Sequence, residues 1–174
     1  INAHIRILNA NRQPIAILDN ADGIGYERPL NDLWRAYFSL PIDDEKNAHC
    51  KPFNYVELTD ADGEYIGLFR IIPAKTRKLA TINEVQYECE HVLATLLNDV
   101  LFRYHERINR TTRDNIEYVL SHQTTKHWRL GDCEFTRYFH YKWEHENGLL
   151  GDQVKAVRRA VRMDVGYARI SMDA

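Results

Sequence analysis

In the stretch 31–44 the apolar residues Trp34, Ala36, Phe38 and Leu40 occupy alternate positions, with Leu33, Arg35, Tyr37 and Ser39 between them. A period of two sends successive side chains to opposite faces of an extended chain. This run therefore predicts a strand with one strongly apolar face lying on a core. Pro41 removes a backbone donor and ends it. The same period returns in residues 81–90, where Val85, Tyr87 and Cys89 face one way and Glu84, Gln86 and Glu88 the other. Nearer the start, Ile5 and Ile7 alternate with polar neighbours. Asn9-Ala-Asn-Arg12 supplies a turn, and Ile15 and Ile17 resume the alternation, which ends at Asp19-Asn-Ala-Asp-Gly23. Asn and Asp tolerate turn dihedrals and bond their own backbone, so this reads as a hairpin. Residues 55–58 lead through Asp60-Ala-Asp-Gly63 into 65–72, which is apolar on both parities apart from Arg70. Such a strand is expected to be buried on both faces or central in a sheet. Short strands joined by turn-rich connectors predict an antiparallel sandwich or barrel.

The period changes at His91. Val92, Leu93, Leu96, Leu97, Val100 and Leu101 recur at helical spacing, opposite Ala94, Thr95, Asn98 and Asp99. That stripe predicts an amphipathic helix. Thr111-Thr-Arg-Asp114 resembles a capping box, and Ile116, Val119 and Leu120 form the stripe of a short second helix. Gly131 is read as a break. Residues 134–144 then read as a strand with Phe135, Phe139, Tyr141 and Trp143 on one face, Arg137 excepted, ending at Asn147-Gly148. Residues 153–161 read as a basic helix. There is no repeat, low-complexity tract or flexible linker. The fold class is thus α+β: an antiparallel β-barrel or sandwich with a flanking helix over residues 1–102, then a smaller α+β domain over 103–174.

Composition bounds the function classes. A chain of 174 residues, 44% hydrophobic and 28% charged, is folded protein of one domain or two small ones. It can bury a core without metals or disulfides. A formal net charge of -2 gives no strong pull toward nucleic acid or an anionic membrane, and no sequence-specific nucleic-acid contact is expected. No apolar run reaches membrane-spanning length and no leader pattern opens the chain, so no membrane anchor is expected. Because the chain begins at Ile1 rather than Met, it is expected to be processed or a fragment. Cys50, Cys89 and Cys133 are odd in number and lack CxxC spacing, which reads as reduced thiols in a protein assembled in a cytosol.

The residue types that carry chemistry do not fall into catalytic patterns. His122, His127, Cys133 and His140 could gather around zinc, but their spacing fits no standard motif, and His140 and His145 have opposite strand parity. Asp60, Asp62 and Gly63 match part of a calcium loop whose closing acid is missing, since Ile71 or Ile72 stands there; turn residues explain them more simply. Cys89 precedes His91 by two residues, yet it shares parity with Val85 and Tyr87 and reads as a small buried hydrophobe. Asp43, Asp44, Glu45, Glu144 and Glu146 read as solvated loop and strand-end charges. Lys155, Arg158, Arg159 and Arg162 read as a solvated helix face or a contact with an acidic neighbour. Tyr138, Tyr141 and Trp143 could form a carbohydrate platform, although alternation of this kind more often packs a core or a subunit contact. No catalytic, metal or cofactor-binding residue is assigned, no cofactor is implied, and the segment is read as non-enzymatic.

Several ordered patterns carry a resemblance. They are Asn31-Asp-Leu-Trp-Arg-Ala-Tyr-Phe-Ser-Leu-Pro-Ile-Asp-Asp44, Val85-Gln-Tyr-Glu-Cys-Glu-His-Val-Leu-Ala-Thr-Leu-Leu-Asn-Asp-Val-Leu101, and Trp128-Arg-Leu-Gly-Asp-Cys133 followed by an aromatic strand and Glu146-Asn147. Together they resemble the N-terminal region of phage minor structural proteins of the tail-associated lysin, or prophage endopeptidase tail, family. These are the baseplate-hub or tail-tip proteins. The resemblance implies a tail-tube-like β-barrel domain over 1–102 and an α+β hub domain over 103–174. It implies a homotrimer that extends or caps the tail tube and contributes to the DNA-ejection channel. The implied partners are the distal tail and tail-tube proteins, with the tape-measure protein beside them. The implied location is the distal tail tip of the virion, after assembly in the bacterial host cytoplasm. Several members carry a C-terminal peptidoglycan-cleaving domain, which no stretch here matches, so no catalytic residue is carried over. The family continues to a second barrel-like domain, whereas this sequence departs from the pattern after Asn147. Two alternatives stand beside the structural role. One is the N-terminal scaffold of a tail-associated peptidoglycan hydrolase. The other is a carbohydrate-binding tail-tip module, suggested by 10 tyrosines.

Overall fold

The computed structural model describes residues 4–30, 32–72, 77–79, 83–98, 104–124, 128–143 and 168–172. The chain forms two compact units, Ile1–Leu93 and Ala94–Ala174.

The first unit is one antiparallel sheet. Its strands are β1 (His4–Leu8), β2 (Pro14–Ile17), β3 (Asp22–Glu27), β4 (Arg35–Pro41), β5 (Tyr55–Thr59), β6 (Tyr65–Ile71), β7 (Arg77–Leu79) and β8 (Glu84–His91). Their order across the sheet is β2-β1-β5-β6-β8-β4-β3, and β7 pairs with β8 off this path. Three strands separate β1 from β4, so in a flat sheet the two would lie about 19 Å apart at the usual strand spacing. Yet Ile5 and Ile7 of β1 share one buried cluster with Ala36, Phe38 and Leu40 of β4, together with Val56, Phe69, Ile71, Val85 and Cys89. Contacts between segments distant in the sheet order, Lys46 after β4 with Ile17 of β2 and Arg28 after β3 with Glu64 before β6, show that the sheet rolls around this core. Ala16 of β2 and Ile24 and Tyr26 of β3, on the two outermost strands, pack against that same core. Among the described residues no pairing joins β2 to β3, so the roll is not a closed barrel.

The alternation read in β4 and β8 holds. Ala36, Phe38 and Leu40 are buried opposite Cys89, Tyr87 and Val85, and Trp34 packs partly buried against the cluster. The hairpin of β1 and β2 also holds, with Asn9 Oδ1 accepting from the backbone of Asn11 and Gln13. Its inward residue differs, however. The register sets Ala16 opposite Ile7, which leaves Ile15 and Ile17 turned outward, 39% and 51% exposed. β6 lies centrally, but Leu68 and Arg70 are only half-buried, so it buries one face fully and the other in part. β3 has no clear sequence signal, because Gly23 and Gly25 weaken its strand pattern. Tyr37 compensates by lying over Gly25, where any Cβ would collide with its ring.

The helix expected from His91 is instead a 3-10 segment, Val92–Asn98. At three residues per turn the i, i+4 stripe is kept only in part. Val92, Ala94 and Leu96 are buried while Leu97 is 41% exposed. The second unit contains β9 (His105–Thr111), α1 (Thr112–Ser121), β10 (Trp128–Cys133), β11 (Tyr138–Trp143) and β12 (Ala168–Met172). β9 pairs with β11 and β10 with β12. The expected cap is in place: Thr111 accepts from the Asp114 backbone N–H at 3.1 Å, and Ile116, Val119 and Leu120 are buried. Gly131 does not break the chain. It lies within β10, where the register shifts between Leu130 and Cys133. The aromatic strand begins only at Tyr138. The expected basic helix, 153–161, lies outside the described residues.

Candidate functional site

The two outer strands of the rolled sheet differ in how their backbone is covered. In β2, Pro14 carries no N–H to offer. Leu18 N donates to Ile5 O at 2.9 Å, and antiparallel alternation then points the backbone groups of Ile17 outward. Ile17 O is taken by Lys46 Nζ at 2.7 Å, and the same ammonium reaches Asp19 Oδ2 at 2.6 Å. Lys46 sits in a 3-10 turn, Glu45–His49, capped by Asp44, whose Oδ1 accepts from Lys46 N at 2.8 Å. Asn20 donates to the other carboxylate oxygen at 3.0 Å. Those bonds, that from Asn20 first, hold the Asp44 carboxyl below its usual range, and Asp19 raises the Lys46 ammonium. A lysine on an edge carbonyl is a known way to stop further strand pairing. β3 has no such cover on its outer side among the described residues. Beyond its end, Arg28 stacks near the rings of Tyr26 and Trp34 and pairs with Glu64 at 3.3 Å.

Inside the roll, Tyr87 donates to Asn47 Oδ1 at 2.7 Å, and Asn47 donates to Pro41 O and Asp44 O. Burial pushes the Cys50 thiol up to about 12 and drives Cys89 higher still. Neither offers a thiolate near neutrality. His91 stacks edge-on against Trp34 and Phe69, and its Nδ1 accepts from Leu93 N at 3.1 Å. Desolvation lowers its pKa to about 4. With Nδ1 engaged, His91 is not placed as a base for Cys89, which packs as the small hydrophobe its parity indicated.

The zinc candidates are dispersed into other contacts. His122 Nδ1 lies 2.8 Å from Tyr118 O, His140 Nε2 lies 2.5 Å from Glu106 Oε1, and Cys133 is half-buried in β10. Tyr104 and His140 hold the Glu106 carboxyl below its usual range. His127 and His145 lie outside the described residues, as do Glu144, Glu146, Lys155, Arg158, Arg159 and Arg162. Among the described residues no group of three or more His, Cys, Asp or Glu could hold a metal. Asp60 accepts from the N–H groups of Asp62 and Glu64, and Gly63 has φ +84°, as a hairpin turn requires. Tyr138 is exposed, but Tyr141 is buried with its hydroxyl 2.6 Å from Thr112 Oγ1, so the two do not share an exposed platform. Trp128 is also buried, donating to Thr95 Oγ1 at 2.8 Å. One cluster has no counterpart in the sequence patterns. His105 Nδ1 lies 2.6 Å from Tyr118 OH, His122 packs edge-on against both rings, and Arg107 lies over Tyr118. Partners 13 residues apart across a strand and a helix leave no local signal. Among the described residues no helix is long and apolar enough to cross a membrane.

These features define an α+β protein built on a rolled antiparallel sheet that, among the described residues, is unclosed and has one covered and one uncovered edge. No family model and no curated protein matches the chain. Among solved structures it is similar to the tail protein from Neisseria meningitidis MC58, at 10% identity and a TM-score of 0.45, over 70% of this chain and 34% of that one. The chain thus spans about a third of that protein's length, and a likeness at this level assigns no role.

Proposed function

We propose that the chain is a structural component of a phage or prophage tail, placed at the distal tip as part of a baseplate hub. The observation that carries this reading is the asymmetric pair of sheet edges, β2 covered by Lys46 and β3 uncovered among the described residues. A rolled sheet that leaves one edge available is suited to repeated contacts around a ring, where a modest patch recurs at every subunit. The ordered sequence resemblance to tail-hub proteins supports the same reading independently. On it, residues 1–102 supply the tail-tube-like element and 103–174 the hub element. Three copies form the ring, and the tail-tube and distal tail proteins are its neighbours. The work of the chain is geometric, holding a channel open rather than turning over a substrate.

The test is the stoichiometry of the full-length gene product, by native mass measurement and by imaging of intact tails. Three subunits at the tail tip are expected. A dimer, a six-subunit ring, or absence of the chain from purified tails overturns the assignment.

A further inference from the structure

The outer face of β3, β4 and β8 carries a cavity of about 300 Å³. Its origin lies in the sequence. Phe38, Tyr87 and Cys89 face the core, so Tyr37, Ser39, Gln86 and Glu88 face the other way. The register sets Tyr37 beside Glu88 and Ser39 beside Gln86. On the other side Gly25 lies opposite Tyr37, and Gly23 stands close enough that a Cβ there would be 3.5 Å from Ser39 Oγ. Two glycines and a serine thus replace bulky side chains over part of the face and leave a depression. Ser39 is buried at its floor, with its hydroxyl donating to Asp22 O at 3.1 Å. Tyr37, 46% exposed, forms one wall, and its ring is fixed by resting over Gly25. Gln86 and Glu88 form the opposite wall.

We propose that this cleft binds a saccharide ring. A sugar presents an apolar C–H face and a rim of hydroxyls. The Tyr37 ring offers a flat partner for the first. The Gln86 amide, both donor and acceptor, and the Glu88 carboxylate, an acceptor, address the second. Arg35 lies 3.9 Å from Glu88 on the same face. The volume lies at the small end of ligand sites, which suits one sugar ring rather than a larger cofactor. Sugar binding in this cleft does not depend on the tail assignment.

The experiment is an amide NMR titration of the 174-residue protein with N-acetylglucosamine, glucose and galactose, each separately. At least one sugar is expected to shift the amides of Tyr37, Gln86 and Glu88 in a saturable way. Affinity should weaken by about tenfold or more in Tyr37→Ala and in Gln86→Ala, the scale of one lost polar or stacking contact. Tyr37→Ala also uncovers Gly25, so Gln86→Ala, an exposed position, serves as the variant that leaves the sheet intact. No saturable shift with any of the three sugars overturns the proposal. So does binding of unchanged affinity in Gln86→Ala, or shifts confined to residues away from the cleft.

Discussion

His91 makes the stability of the first unit depend on pH in a way that can be isolated. Its ring is wedged between Trp34 and Phe69, and its Nδ1 accepts the Leu93 N–H, so the folded state holds the neutral imidazole. Protonation would both charge a desolvated ring and remove that acceptor. The folded pKa of about 4 lies below the ordinary 6.5. The unfolded chain therefore takes up the proton first. The stability contributed by the neutral ring is complete above 6.5 and is lost as pH falls toward 4. A shift of this size corresponds to roughly 3 kcal/mol overall, of which roughly 2 kcal/mol is lost between about pH 7 and about pH 5. Carboxylates of the unfolded chain begin to take up protons as pH approaches about 5, so the measurement is a difference. Urea unfolding of the wild type and of His91→Gln, across that pH series, gives two curves. Gln can still accept from Leu93 N but does not titrate. The wild type should lose roughly 2 kcal/mol more than the variant between those limits. Parallel curves, or an NMR titration that places His91 at an ordinary imidazole value, would refute the reasoning.

Other outcomes follow from the same structure. Leu40→Ala, at a site with no exposure, should cost about 2–5 kcal/mol in equilibrium unfolding, whereas Leu30→Ala at 90% exposure should change little. Thr111→Ala removes the acceptor for the Asp114 N–H and should destabilise the second unit by about 1 kcal/mol, read as a shift in the urea midpoint. Lys46→Ala uncovers Ile17 O, and sedimentation should then show association that grows with concentration, while the wild type at equal loading shows less.

The fold was legible wherever local pattern and tertiary packing agree. In β4 and β8 the period-two alternation is strict, and the observed register places the two apolar sets opposite one another. The cap of α1 was legible for a similar reason, since Thr111 and Asp114 lie within one turn. What failed was decided elsewhere in the chain. The strand β3 depends on Tyr37, twelve residues beyond Gly25, to cover a position without a side chain. The inward choice in β2 depends on the register that pairs Ala16 with Ile7, not on which residue is more apolar. The apolar periodicity of residues 92–101 could not distinguish an α-helix from a 3-10 segment, because Val92 and Leu96 are buried in the 3-10 form as well. The cleft beside Tyr37 was illegible for the same reason as β3, since its floor and walls come from three strands whose register no local pattern fixes.

The unequal edges also bear on which assemblies the first unit can form. Two open edges would let copies add strands without limit, and covering β2 with Lys46 removes one of them. The remaining edge could still pair with its own copy about a two-fold axis. An antiparallel pairing of β3 centred between Ile24 and Gly25 would set Asp22 of each copy opposite Glu27 of the other. Like charges directly opposite are destabilising by several tenths of a kcal/mol to about 1 kcal/mol per pair, and a two-fold axis makes the pair occur twice. The glycines at 23 and 25 add no cross-strand side-chain contact to offset it. Self-pairing of β3 in that register is therefore disfavoured. A contact between unlike surfaces is heterologous, and when its rotation closes it generates a ring rather than a dimer. The proposed ring would use a heterologous contact of this kind, and in this register the two acidic residues at the ends of β3 disfavour the two-fold alternative.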